Sequence, residues 1–313
     1  MGSMSDFKFQ PAPWIPFRDM AAVERVRAIK REEITQHPNP MYHIFVVPDA
    51  DVMWHWAADM VARIQTSDRE NRRVVLILPN PCHGYRFVTT MINRLRINCR
   101  NLVVFAMDEW ADQDGKIAPE SWPAGFGHAL LKHFYSTIAP ELRPPRNQIH
   151  LFTNENVTSY SRMIADLGGA DACYSGPGWA GHVAFVDPGQ PEWSADLATW
   201  KKQGARVCTL HPLTIAQNSL HGCFGMSGDL CAVPPKAASI GPADVLGSKY
   251  RFDMHALSTM GTFSSWQRMI SRLVTHGPVT PVLPTSLLQE VEADVIFSES
   301  AAANVEPRWN LEY

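Results

Sequence analysis

The chain has 313 residues, of which 45% are hydrophobic and 19% charged, and its net charge is −3. A chain of this size can bury the core of one large α/β domain or of two smaller ones. The slightly acidic balance, with no long basic run to offset it, argues against a partner such as nucleic acid or an anionic membrane surface.

No apolar run is long enough to span a bilayer, and the first residues lack the basic, apolar, small-residue order of a secretory signal. Cys82, Cys99, Cys173, Cys208, Cys223 and Cys231 are scattered without a CxxC pair. The expectation is a cytoplasmic protein with reduced thiols, not a disulfide framework or a structural zinc site.

In chain order, residues 5–40 are proline-punctuated and contain one helical stretch, 19–34. The run 42–50 reads as a strand, and 51–71 places apolar residues at helical spacing. Residues 72–81 form a continuous apolar strand closed by Pro79-Asn80-Pro81. A helix follows from Tyr85, then a second apolar strand over 101–110 that ends Met107-Asp108-Glu109-Trp110. A helix over 121–138, a strand over 149–154, a helix over 157–168 and a strand over 170–176 complete the regular half.

Strands apolar on both faces that alternate with helices predict a mostly parallel sheet covered on both sides. In such sheets ligands sit beyond the carboxyl ends of the strands. Three of those ends are unusual: Pro79-Asn80-Pro81-Cys82-His83-Gly84, the acid pair Asp108-Glu109, and Gly176-Pro177-Gly178-Trp179-Ala180-Gly181-His182. Glycine at that density allows close backbone approach to another group. A carboxylate and an imidazole on neighbouring strand ends make a plausible proton-transfer pair. The alternative for Asp108 is a helix cap or a strand end that meets water. The alternative for His182 is a filler in a tight turn.

Five segments in order resemble the glucosamine-6-phosphate deaminase/isomerase family and its 6-phosphogluconolactonase relatives. They are FAMDEW, ESWPAGFGHALLKHFY, GPGWAGHVAFVDPG, TLHPLTIAQNS and PPKAASIGPADVL, within residues 70–300. The resemblance implies an α/β fold: a single Rossmann-like domain with a mostly parallel sheet flanked by helices. Its expected bounds are 41–313, with residues 1–40 as an N-terminal extension packed on it.

The resemblance also implies aldose–ketose isomerisation or deamination of a small-molecule sugar or sugar phosphate, through ring opening and proton transfer between C2 and C1. Asp108 matches the family's enolisation base, His182 its ring-opening acid/base, and Asp187 the carboxylate that orients the histidine, one methylene shorter than the usual Glu. Substrate-binding positions are expected at Pro79, Asn80, His83, Gly84, Arg86, Glu109, Gly176, Gly178, Trp179, Gly181, His211 and Arg268. No metal and no organic cofactor is required, and relatives imply a homo-oligomer.

The departures concern the substrate. Ala180 replaces the family's Asp before Gly-His. Pro79 and Pro81 remove two N–H donors from the loop that holds phosphate in relatives. Ile215 stands at the family's arginine, and no lysine aligns in 258–269. The expected substrate is therefore unphosphorylated or carries its anionic group elsewhere. A sugar lactonase, in which His182 activates water, and a non-catalytic sugar-binding regulator are the competing readings. His-Val-Ala in place of the lactonases' His-Thr-Ala, together with the acid pair, favours the isomerase.

Overall fold

The computed structural model describes residues 9–80, 82–256 and 266–306. Helix α1 (Met20–Arg27) opens where Asp19 accepts from the Ala22 amide at 3.1 Å. It ends at Arg27, short of the expected 19–34. Beyond it Glu33 accepts from the Lys30 amide at 2.9 Å, and residues 31–35 form turns.

Strand β1 (Tyr42–Val47), helix α2 (Val52–Glu70), strand β2 (Val74–Leu78), helix α3 (Tyr85–Leu95) and strand β3 (Leu102–Ala106) then alternate as read from the sequence. Every residue of β2 and β3 is buried, as their unbroken apolar runs require.

The run 101–110 is not one strand. Met107 breaks it: its amide donates to Leu78 O at 2.9 Å, while its carbonyl accepts from the Ile240 amide at 3.0 Å. The next strand, β4 (Asp108–Ala111), therefore leaves the large sheet for a second one. Asp108 is the first residue after that switch.

Helix α4 (Phe126–His133) and strand β5 (Ile149–His150) follow. β5 is shorter than the predicted 149–154, because side chains take over its backbone groups. Tyr160 donates to His150 O, and Asn156 donates to Leu151 O and accepts from the Thr153 amide. The remaining elements are α5 (Tyr160–Asp166), β6 (Ala172–Ser175), α6 (Leu197–Trp200), β7 (Arg206–Thr209), α7 (Pro212–Asn218), β8 (Lys236–Ser239), α8 (Pro242–Gly247), β9 (Arg251–His255), α9 (Trp266–His276), β10 (Ala293–Ser298) and α10 (Glu299–Ala302).

Seven strands pair in the order β1-β10-β9-β6-β2-β3-β5, all parallel. The order β4-β8-β7 forms a small antiparallel sheet. The architecture is thus an α/β fold with a mostly parallel sheet flanked by helices.

Two large apolar clusters cover the two faces of the main sheet, one around Trp56, Met60 and Leu76, the other around Phe105, Trp110 and Val295. Each fully buried large side chain contributes roughly 1.5–3 kcal/mol. A third, small cluster joins Val23 and Val26 of α1 to Leu273 and Val274 of α9. All six cysteines are free. Among the described residues no helix is long and apolar enough to cross a membrane.

Candidate active site

The ends of β2, β3, β6 and β9 open into one cavity of about 460 Å³. Pro79, Asn80, His83, Gly176, Gly178 and His182 line it, as does Asp108. Three loops far apart in sequence are brought together, as their placement at strand ends predicts.

Each glycine in 175–185 answers a different close approach or backbone need. A Cβ on Gly178 would lie 1.9 Å from His182 Nε2, so the imidazole packs directly on the Gly178 backbone. A Cβ on Gly176 would lie 2.7 Å from Met254 O. Gly181 has φ +77°, reserved for glycine here by backbone conformation and by the apolar tips of Ile270 and Leu283 nearby. The apolar run after His182 is a tight turn closed by a Val183–Val186 bridge, with Ala184 at φ +49°. A non-glycine residue in that region costs on the order of 1–3 kcal/mol, and it lies next to the cavity histidine.

His182 is fixed from behind. Its Nδ1 lies 2.7 Å from Asp187 Oδ1 and 2.9 Å from Thr214 Oγ1. Thr214 donates to Asp187 Oδ1 at 2.7 Å, and the His211 amide donates to Oδ2 at 2.7 Å. A carboxylate only accepts, so the imidazole proton facing Asp187 sits on Nδ1, and Nε2 faces the cavity. Asp187, despite its shorter side chain, spans the gap, and it is 1% exposed.

Asp108 and Glu109 are adjacent and both buried, but they differ in every contact. Glu109 is fully used by the fold. Its Oε1 accepts from the Trp110 and Phe126 amides at 2.8 and 2.9 Å, and its Oε2 from the Gly127 amide at 2.6 Å. It thereby anchors the start of α4. Burial raises its pKa, and those three amides pull it back down. Asp108 Oδ1 is buried with no partner among the described residues. Burial first, and then the charge of Glu109, hold the Asp108 carboxyl well above the usual carboxylate range. A carboxylate in that state can take a proton and keep it long enough to return it.

Several expected binding residues lie outside the cavity. Glu109 faces α4, as described. Gly84 packs on Trp56, with a Cβ there only 2.6 Å from Trp56 Cε3. Arg86 lies in an adjoining cleft beside His83 and His133, its guanidinium 4.7 Å from the Phe87 ring centre. Trp179 donates its amide to Gln217 Oε1 at 2.7 Å, and its ring is not part of the cavity wall. Gly181 is turned toward α9. His211 caps α7, accepting from the Leu213 amide at 3.1 Å; burial lowers its pKa. Arg268 donates to Ser300 O at 2.9 Å and is not among the residues lining the cavity. Trp110 is core, stacked among Phe126, Phe185 and Phe224. Pro81 and residues 257–265 lie outside the described residues.

Besides His83, which the sequence predicts, further groups surround the site. Thr214 completes the support of His182. Ser175, Asn218 and Gln217 line the cavity. A far wall carries His83, His128, Lys132, His133 and His221. Burial and His83 push the His221 imidazole down to about 4, and its Nδ1 is buried without a partner among the described residues. Burial, Lys132, His128 and His83 lower His133. Among the described residues no group of three or more His, Cys, Asp or Glu is arranged to hold a metal ion.

No family model matches the chain. Among individual proteins it is 25% identical over 272 residues to the glucosamine-6-phosphate deaminase of Phocaeicola vulgatus, covering 83% of this chain and 92% of the relative. It is 31% identical over 199 residues to the glucosamine-6-phosphate deaminase of Borrelia hermsii, covering 62% of this chain and 68% of the relative. Its fold resembles that of a monomeric glucosamine-6-phosphate deaminase, with a TM-score of 0.67 at 18% identity over 83% of this chain and 98% of the other. It also resembles that of the 6-phosphogluconolactonase of Thermotoga maritima, with a TM-score of 0.56 at 14% identity over 82% of this chain and 99% of the other. With one such relative above 30% identity across two thirds of its length, and the same fold beneath it, the chain belongs to the enzyme family of the glucosamine-6-phosphate deaminases and isomerases.

Proposed function

We propose that this protein opens an amino sugar or related aldose and moves a proton between C2 and C1, releasing a ketose and, from an amino sugar, ammonia. His182 shuttles a proton between the ring oxygen and the anomeric hydroxyl. Asp108 then takes the C2 proton, which leaves an enediol or enolamine, and delivers it to C1. With an amino sugar the resulting iminium at C2 is hydrolysed by water. Asp187 and Thr214 hold His182 in the tautomer that keeps Nε2 toward the substrate.

The observation that carries this reading is Asp108. Its Oδ1 is buried without a partner, its pKa is raised, and it lies in the same cavity as His182. A strand-end carboxylate without a chemical task would find a donor or reach water. A lactonase needs His182 to activate water but gives Asp108 no such task, so the orphaned carboxylate favours the isomerase reading.

The preferred substrate lacks a 6-phosphate or carries its anionic group elsewhere. Ile215 and Pro79 supply no charged anion ligand, and Arg86, Arg268 and His211 are not among the residues that line the cavity. An anionic group on the substrate would have to be received by the far wall, of which His83 and Lys132 are the outermost groups. The test is an assay of ammonia release and ketose formation on matched phosphorylated and free amino sugars. Glucosamine 6-phosphate is expected to be poor. A kcat/KM for it above about 10⁴ M⁻¹s⁻¹ overturns the substrate assignment.

A further inference from the structure

Ser175 ends β6 and lines the cavity. Its register partner on β9 is Asp253, and Ser175 Oγ donates to Asp253 Oδ1 at 2.5 Å. The other oxygen, Oδ2, lies 2.7 Å from His255 Nε2, and His255 Nδ1 lies 2.8 Å from Ser271 Oγ on α9. Asp253, His255 and Ser271 are all 0% exposed. Of the four, only Ser175 reaches the cavity. The His255 ring is clamped against Phe297, with centroids 4.5 Å apart, and Gly176 brings the end of β6 against the Met254 carbonyl.

A carboxylate accepts hydrogen bonds and donates none. The short contact between Ser175 and Asp253 therefore carries the serine's own proton. What Ser175 offers the cavity is its remaining lone pairs. A hydroxyl bonded to a carboxylate in a dry interior is polarised toward its oxygen. Such an acceptor bonds a charged N–H donor better than a neutral O–H. His255 and Ser271 keep Asp253 from rotating away.

We propose that Ser175 is a specificity-determining residue that accepts a hydrogen bond from the substrate's ammonium group and so selects an amino sugar over its hydroxy counterpart. Asp253 and His255 act through it as positioning residues. The inference rests on the amino-sugar reading given above.

Its test uses open-chain sugar alcohols, which cannot be turned over and so isolate recognition. Glucosaminitol and glucitol are titrated calorimetrically into the full chain at neutral pH. The wild type is expected to bind the amine about tenfold more tightly or better, the difference between a charge-assisted and a neutral hydrogen bond. Ser175→Ala abolishes that preference, and Ser175→Thr, which keeps the hydroxyl, restores most of it. Asp253→Asn, which removes the charge, narrows it, with circular dichroism to establish that the variant is folded. A wild type without amine preference overturns the assignment. So does a Ser175→Ala variant that keeps the preference, or one that loses affinity for both alcohols alike, which marks a packing role. If only the reaction reading is wrong, the amine preference and its loss in Ser175→Ala persist while free glucosamine is not turned over.

Discussion

The two ends of the cavity are built to different standards. At the His182 end almost every polar atom is committed: Asp187 accepts from Thr214 and the His211 amide and meets His182 Nδ1, and all four residues are buried. At the far end His83, Lys132 and His133 are exposed, and His221 leaves a nitrogen unpaired. Proton transfer depends on sub-ångström placement of the reacting groups, and a locked histidine suits the role proposed for it. Recognition of a substrate's distal end tolerates longer, softer contacts. On the proposed reading the first end performs the chemistry, and the second receives the distal part of the substrate.

The strongest way to break this comparison is Asp108→Asn. Exchange of the substrate's C2 proton with solvent, followed by NMR, is expected to fall by about 10²–10⁴-fold with the fold intact. Retention of most of the wild-type rate removes Asp108 from the reaction. His182→Gln comes next. Its loss is confined to ring-closed substrate, and an open-chain analogue, which bypasses ring opening, retains more of its rate. Equal loss on both places His182 in the C2–C1 transfer or in structure alone.

At the soft end, glucosamine 6-phosphate is expected to bind at least roughly a hundredfold more weakly than a substrate suited to the site, if two charged contacts are lost at about 1.5–3 kcal/mol each. Inhibition constants of matched free and phosphorylated sugar alcohols measure this. Thr214→Val sharpens the comparison at the locked end. It removes one hydrogen bond behind His182, worth about 1 kcal/mol, and is expected to lower kcat about fivefold with KM little changed. A change in KM alone assigns Thr214 to substrate binding.

The same burial predicts a stability signature. A carboxyl whose folded pKa is raised stabilises the protein below its unfolded pKa of about 3.9, and that contribution is lost as pH rises through the folded pKa. Asp108 is such a group. The melting temperature of Asp108→Asn is therefore expected to exceed that of wild type at neutral pH, and the gap to close as pH falls toward 4. An Asp108→Asn variant that melts lower at pH 7 contradicts a buried, ionisable Asp108.

Much of this site is legible in the sequence, for local reasons. Apolar runs that end in Asp108 or in Pro79-Asn80 mark strand ends, and a parallel sheet gathers such ends at one edge. Asp187 follows His182 by five residues, close enough for one tight turn to join them. What is not legible depends on partners remote in sequence. Nothing within 101–110 reveals that Met107 bonds to Leu78 on one side and Ile240 on the other, so the strand is read as continuous. Glu109 and Asp108 look equivalent until α4 folds back and delivers three amides to one of them. Arg268 and His211 are polar residues near the matched segments, but their printed partners are backbone groups, Ser300 O and the Leu213 amide, while Arg86 stacks on Phe87 in an adjoining cleft. Ser175 and Asp253 meet only because β6 and β9 pair across 78 residues.

In the proposed reaction Asp108 moves the C2 proton of an amino sugar or related aldose. Free glucosamine and its hydroxy counterpart incubated with the enzyme in deuterated water, with ammonia and ketose followed alongside the NMR spectrum, test it most directly. The predicted result is a ketose whose C1 has received either the hydrogen from C2 or deuterium gained by exchange at Asp108, with ammonia released from the amino sugar and all turnover lost in Asp108→Asn. Hydrolysis of a sugar lactone with neither ketose nor carbon-bound exchange from any sugar would contradict it.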